Sequence, residues 1–316
     1  MSYYILAFYQ IEPIAQPREE IAAHLAFFQN RDVTSRIYIS EQGINGQMCA
    51  IQHDAEDYMN WMHSRPEFQH IHFKIHSYHE HVFPRLTVKY RPKLVGYDQP
   101  IDHSQRGEHV SPEHWKEMLQ RTHDGHILLD VRNDYEWQLG RFEGAELPPC
   151  ETFREFENYA EQLKETVDPK KTPVMMYCTG GIRCELYSSV LLKNGFEKVY
   201  QLQGGIINYG QQAGSDHWLG KLFVFDDRLS VPIAPQETPV IGTCHHCGVS
   251  MENYYNCANM DCNKLFLCCQ KCLEQFAGCC QEACKQAPRL RPYHHQDPHK
   301  PFRRWHHYFS EKKPKG

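Results

Sequence analysis

No stretch of the 316 residues approaches the roughly 18 consecutive apolar residues that a membrane-spanning helix needs. The opening MSYYILAFYQIEP has neither the basic start nor the small-residue cleavage site of a secretory signal. The expectation is therefore a cytoplasmic protein with no membrane partner. A strong excess of either charge is also missing, since the net charge is only -5. No repeat of solenoid period occurs, and no flavin, haem or iron motif is found. Hydrophobic residues at 41% and charged residues at 23% leave an ordinary globular composition, long enough for two or three domains rather than one extended core.

What is present is unevenly spread. From Lys285 to Gly316 there are nine Lys or Arg against two acids, a net of +7 that leaves -12 for the rest. A tail of that kind suits a polyanion, or is simply solvated. Ten of the 14 cysteines fall between Cys244 and Cys284. In a chain without a secretory signal, such density points to metal before disulfides.

Periodicity divides the chain. Over residues 1–95, strand YYILAFY, helix REEIAAHLAFFQN, strands TSRIYIS and INGQMCAI, helix AEDYMNWMHS and strand HIHFKIHSY give the order βαββαβ, the pattern of a ferredoxin-like, acylphosphatase-like α+β domain. GYDQPIDHSQRGEHVSP reads as a linker. Over residues 112–222, strands HILLDV, PVMMYC and KVYQL alternate with helices, which predicts an α/β domain with a parallel sheet. Residues 240–316 form a cysteine-rich segment with the basic tail.

The most informative stretch is MMYCTGGIRCE, where Cys178 follows an apolar strand and precedes a helix. Backbone N–H groups converge at a helix N-terminus and favour a thiolate or an anionic group carried on sulfur. Thr179, Gly180, Gly181 and Ile182 form the loop, whose glycines let it curl into a nest. Arg183 adds a fixed positive charge. The whole describes an activated nucleophilic cysteine, whereas a structural cysteine would need neither the glycines nor the arginine. Cys184 either resolves an oxidised Cys178 or simply begins the helix. A cysteine phosphatase would place five residues between cysteine and arginine. Here Arg183 comes one position early, and the shorter ring suits a sulfur-sized group.

Three segments carry a resemblance. LLDVRNDYEWQLGRFEGAELPP, YCTGGIRC and GFEKVYQLQGGI resemble the rhodanese domain, with Arg141 where that family has a histidine. The resemblance implies a persulfide-bearing role for Cys178 and loop-bracing roles for Asp130 and Arg132. Joined to the N-terminal domain, to FPRLTVKYRPKLVGYD, to FVFDDRLSVP and to the cysteine cluster, it becomes a resemblance along the whole chain to the rhodanese-domain tRNA uridine hydroxylases. That family implies synthesis of 5-hydroxyuridine at the wobble position with molecular oxygen as co-substrate, and the tRNA anticodon region as partner. A persulfide sulfurtransferase and a non-catalytic RNA-binding protein are the alternatives.

For RNA, Arg85, Lys89, Arg91 and Lys93 lie within nine residues free of acids, a candidate phosphate contact. Arg303 and Arg304 beside Trp305 form a second. For metal, Cys244 and Cys247, Cys257 and Cys262, Cys269 and Cys272, and Cys280 and Cys284 make four pairs, enough thiolates for two tetrahedral zinc sites. Cys268 and Cys279 are spare. Spacing leaves open whether the pairs combine sequentially or crossed, and free thiols, disulfides or an iron–sulfur cluster remain alternatives.

Overall fold

The computed structural model describes residues 2–97, 105–121 and 125–291. In the N-terminal part, β1 (Tyr3–Gln10), α1 (Pro17–Phe27), β2 (Val33–Ser40), β3 (Gly43–Ile51), α2 (Gln52–His63) and β4 (Lys74–Tyr78) follow the expected order. β1 pairs antiparallel with β3 and β4, and β3 with β2. Alternation along β2 turns Val33, Ser35, Ile37 and Ile39 inward. The helices cover that face, so Phe8, Phe28, Tyr58 and Met62 share one core. A fifth strand, β5 (Val88–Tyr90), lies parallel to β2 at the sheet edge. It falls inside the basic run and is too short to show a period of its own.

The central part is a parallel sheet. β6 (Glu108–Val110), α3 (Pro112–Gln120), β7 (Ile127–Asp130), α4 (Asp134–Trp137), β8 (Gly140–Phe142), α5 (Phe156–Thr166), β9 (Val174–Tyr177), α6 (Ile182–Lys193), β10 (Val199–Leu202) and α7 (Gly205–Gln212) follow in turn. The strand order is β6-β10-β9-β7, all parallel. β6 lies within the segment read as linker, and α7 begins at the end of the GFEKVYQLQGGI segment. Every residue of β9 is buried, as a central strand covered on both faces requires. Val174 and Met176 face α5 and α6, while Met175 and Tyr177 face α3 and α7. That alternation aims the next residue, Cys178, at the α6 side.

Beyond the sheet, β11 (Trp218–Gly220) pairs with β8, β12 (Leu222–Phe223) with β13 (Ser230–Val231), and β14 (Tyr254–Asn256) with β15 (Leu265–Leu267). The short helix α8 (Gln270–Gln275) follows. The Tyr254 hydroxyl donates to the Tyr135 carbonyl at 2.5 Å and ties this segment to α4. Phe142, fully buried, meets the rings of Tyr177, Tyr209 and Trp218 edge-on at 4.8, 4.9 and 5.1 Å. Replacing Phe142 by Ala is expected to cost about 3–5 kcal/mol of stability, read as a lower midpoint in thermal or urea unfolding.

Candidate active site

The loop after β9 is shaped by two close approaches. Gly181 has φ +103, and a Cβ there would come 2.7 Å from the Tyr9 hydroxyl of the neighbouring domain. Gly205 at the start of α7 has φ +69, and its Cβ would strike the Cys178 carbonyl at 2.5 Å. Only glycine tolerates both the conformation and the contact. With those positions open, the Ile206 and Ile207 N–H groups of α7 donate to the carbonyls of Cys178 and Thr179 at 3.0 and 3.1 Å. The loop is thereby clamped between two helix N-termini.

Cys178 is fully buried, and its sulfur accepts a hydrogen bond from the Gly181 N–H at 3.1 Å. Burial alone pushes its pKa up. The Cys184 thiol, the Arg183 charge and the N–H groups of Cys184 and Gly181 outweigh burial and bring it down to about 5. Cys184 shifts the opposite way, well above the ordinary thiol range, because it is buried beside the Cys178 charge. It therefore stays protonated and acts as a donor.

Arg183 lies five residues past Cys178 at the start of α6, and its guanidinium is already engaged. Its Nη1 and Nη2 donate to the two carboxylate oxygens of Glu136 at 2.5 and 2.8 Å. Thr179 Oγ1 donates to the same carboxylate at 3.0 Å. Glu136 is fully buried, and although burial raises its pKa, Arg183 lowers it further than that. Arg183 thus acts on the sulfur as a fixed field rather than as a free fork. The sequence reading missed Glu136; its one signal was that a buried arginine needs a carboxylate.

Asp130 and Arg132 form a fully buried pair, with Arg132 Nε and Nη2 donating to the carboxylate at 2.8 and 2.6 Å. Arg132 Nη2 also donates to the Gly140 carbonyl at 2.6 Å, and the guanidinium lies 5.7 Å from the Tyr177 ring centroid. These contacts hold β8 and the residue before Cys178, one step removed from the loop itself.

Above the loop lies a cavity of about 360 Å³ between the N-terminal and central domains. Tyr9, Tyr38, Asn45 and Lys74 line it from the first domain, Cys178 and Arg183 from the second. The walls are tied together. The Tyr9 hydroxyl donates to Glu185 at 3.2 Å, and His109 Nε2 lies 2.7 Å from the same oxygen. Arg36 donates to the Phe225 carbonyl at 2.9 Å. None of Tyr9, Lys74, Glu185 or His109 stands out in the sequence, because they converge only when the domains meet.

Known families match this architecture in three stretches: a UPF0176 acylphosphatase-like domain over residues 3–94, a rhodanese-like domain over 112–212, and a rhodanase C-terminal region over 219–285. A tRNA uridine(34) hydroxylase of Protochlamydia amoebophila (strain UWE25) is 63% identical over 98% of this chain and 97% of its own length. Proteins of the same name from Chlamydia felis (strain Fe/C-56) and Chlamydia trachomatis serovar D are 55% and 54% identical, each over 96% of this chain and over 94% and 93% of their own lengths. The chain belongs to the tRNA uridine(34) hydroxylase family.

In this family member the eight paired cysteines form two groups. Cys244 and Cys247 join Cys269 and Cys272, and Cys257 and Cys262 join Cys280 and Cys284. Within each group the sulfurs lie within 4.8 Å of one another, so each could hold one metal ion. The pairs are crossed, a choice that spacing left open. Cys268 and Cys279 are buried outside both groups.

Arg85 just before β5, Lys89 on it, and Arg91 and Lys93 just after it are all exposed. Arg91 lies over the ring of Tyr38 at 5.3 Å, and the run leads into Leu94, Val95 and Gly96 on the cavity wall. Arg303 and Arg304 lie outside the described residues. No helix among the described residues is long and apolar enough to cross a membrane.

Alkylation of Cys178 by iodoacetamide, followed by peptide mass spectrometry, should rise with pH to a plateau with a midpoint near 5. Cys184→Ala removes the foremost of the groups that lower the pKa and should move that midpoint upward, toward the ordinary cysteine range.

Proposed function

We propose that this protein hydroxylates the wobble uridine of tRNA to 5-hydroxyuridine with molecular oxygen, and that Cys178 is its nucleophile. The observation that carries the reading is a buried thiolate bordering a cavity large enough for one extruded base. Full-length relatives named for this activity support it. A pyrimidine C5 is a poor nucleophile until a thiolate adds to C6, which makes C5 and O4 an enolate. Oxygen then adds at C5 as a peroxide, a thiol reductant from solution supplies two electrons and two protons that convert it to the hydroxyl and water, the C5 proton leaves, and the sulfur departs as the double bond reforms. Arg183, held by Glu136, keeps the sulfur ionised before it adds and stabilises it as the leaving thiolate. Asp130 and Arg132 support the strand end that carries it.

In this reading the anticodon loop lies along Arg85, Lys89, Arg91 and Lys93, which grip its phosphates while the base enters beside Tyr38. Arg303 and Arg304 make a further phosphate contact, and the protein works in the cytoplasm, where tRNA is processed. Zinc occupies the two cysteine groups. Four thiolates within reach of one ion suit it, and when bound it supplies folding energy to a segment with little core of its own. Purified protein should hold about two zinc per chain. Cys247→Ser and Cys262→Ser should each lose about one, measured by atomic emission.

The deciding experiment is mass spectrometry of tRNA nucleosides from cells lacking the protein, complemented with wild type or Cys178→Ala. The expected result is loss of 5-hydroxyuridine, restored by wild type alone. If 5-hydroxyuridine persists while thiolated uridine falls, the protein is a persulfide sulfurtransferase instead.

A further inference from the structure

We propose that Lys74, carried by β4 of the N-terminal domain, is a catalytic residue whose ammonium binds the oxyanion that forms on the uracil ring when the Cys178 sulfur adds to C6. The inference rests on the hydroxylase reading and assigns that site a second chemical group, from the other domain.

Lys74 and Cys178 border the same cavity from opposite domains. Lys74 is only 4% exposed, so its charge is almost wholly withdrawn from water. A buried ammonium ordinarily has a carboxylate partner, because an unpaired one is costly. Among the described residues this one makes no ion pair; its ammonium lies over the face of the Tyr9 ring, 5.0 Å from the centroid. The rival cation, Arg183, has both arms of its fork on Glu136. Arg36, also on the wall, is half-buried and donates to the Phe225 carbonyl at 2.9 Å, so Lys74 is the buried cation of the cavity that no anion holds.

The step balances without any redox partner. The sulfur lone pair forms the S–C6 bond, the C5=C6 π bond breaks, and its electrons pass through C5 onto O4, where the ammonium donates a hydrogen bond. In reverse, C5 takes a proton from solvent, returns one, and expels the thiolate as the double bond reforms. An enzyme that performs this addition exchanges the C5 hydrogen with water even when oxygen is absent.

The groups facing Lys74 set its charge. Tyr9 lies on β1, Cys178 after β9 and Glu185 on α6, while His72 just before β4 and His76 on β4 flank it in sequence. Asp226 and Arg228 border a smaller adjoining recess that Lys74 shares. Burial lowers the Lys74 pKa to about 8, against the opposing pull of Cys178 and Glu185. The ammonium is thus present below about pH 8 and lost above it, while the Cys178 thiolate is present above about 5. Addition should be fastest between those limits.

The test uses the full-length protein and an unmodified tRNA transcript with uridine at the wobble position, in deuterated buffer without oxygen. Exchange of the C5 hydrogen is read by mass spectrometry for wild type, Cys178→Ala, Lys74→Met and Lys74→Arg, with melting temperature and transcript binding measured in parallel. Lys74→Met should slow exchange by about 100-fold, the usual loss when one oxyanion donor is removed, and leave transcript binding intact. Lys74→Arg, charged at every working pH, should retain exchange and lose the alkaline fall that wild type shows above about pH 8. Exchange by Lys74→Met within about threefold of wild type would overturn the proposal, since a lost oxyanion donor costs far more. If Lys74→Met melts early, the Lys74→Arg profile decides, and an unchanged alkaline fall there overturns it. Wild type that hydroxylates in air but exchanges no C5 hydrogen removes the addition step, and with it Lys74 and the nucleophilic role of Cys178, while hydroxylation itself stands. Wild type that does neither removes both.

Discussion

A negatively charged sulfur with no exposure to water is the constraint to which most of this site answers. Withdrawing an anion from solvent is expensive, and the chain meets the cost with nearby dipoles and charges. The Gly181 N–H and the Cys184 thiol act at contact range, and Arg183 acts as a nearby charge. Each remedy creates a further demand. Arg183 is itself buried and needs Glu136, and Glu136 in turn accepts from Thr179 and from the Asn133 N–H at the start of α4. Glu185, one residue past Cys184, brings another buried carboxylate close, and Tyr9 and His109 hydrogen-bond it while Arg106 lies 3.6 Å away. The His109 pKa rises because of that carboxylate, which fits a cationic role beside it. The result is an interlocking set of anions and cations in which removing any one leaves another without its counter-charge.

The N-terminal domain is part of this balance. Its sheet brings Tyr9 and Lys74 against the loop, and its edge strand carries the basic run toward the cavity mouth. A loop of this type standing alone would open to solvent. Here it opens into a chamber whose roof belongs to another domain. Gly181 records the closeness of the fit, since even a methyl group there would press on Tyr9.

Local chemistry was readable from sequence, and convergence was not. The strand before Cys178, the glycines after it and the helix beyond are encoded within a dozen residues, so the nucleophile and its depressed pKa could be inferred. The βαββαβ order followed from hydrophobic period. By contrast, β5 and β6 are three residues each, below the length at which alternation shows, and both sit among polar or basic residues. α7 starts at Gly205 with Gly204 before it, residues that usually end a helix; here Gly205 is needed because the loop passes so near, and Gly204 because it takes φ +74 against Asn208. Glu136 lies 47 positions from Arg183, and Lys74 more than 100 from Cys178. No spacing rule spans such gaps. The cysteines show the same division: C-x2-C pairs are local and legible, but their partnership depends on how β14, β15 and α8 fold back.

That partnership bears on how the protein is made. As the chain leaves the ribosome, Cys244 and Cys247 are followed first by Cys257 and Cys262, which belong to the other group, and only later by their own partners Cys269 and Cys272. An ion seized by the first four thiolates to emerge would sit in a partition that the finished fold does not contain. Were a metal ion bound, a capture of that kind would have to be undone once Cys269 and Cys272 emerge. The crossed arrangement would thus favour an ion that trades one thiolate for another faster than the polypeptide grows.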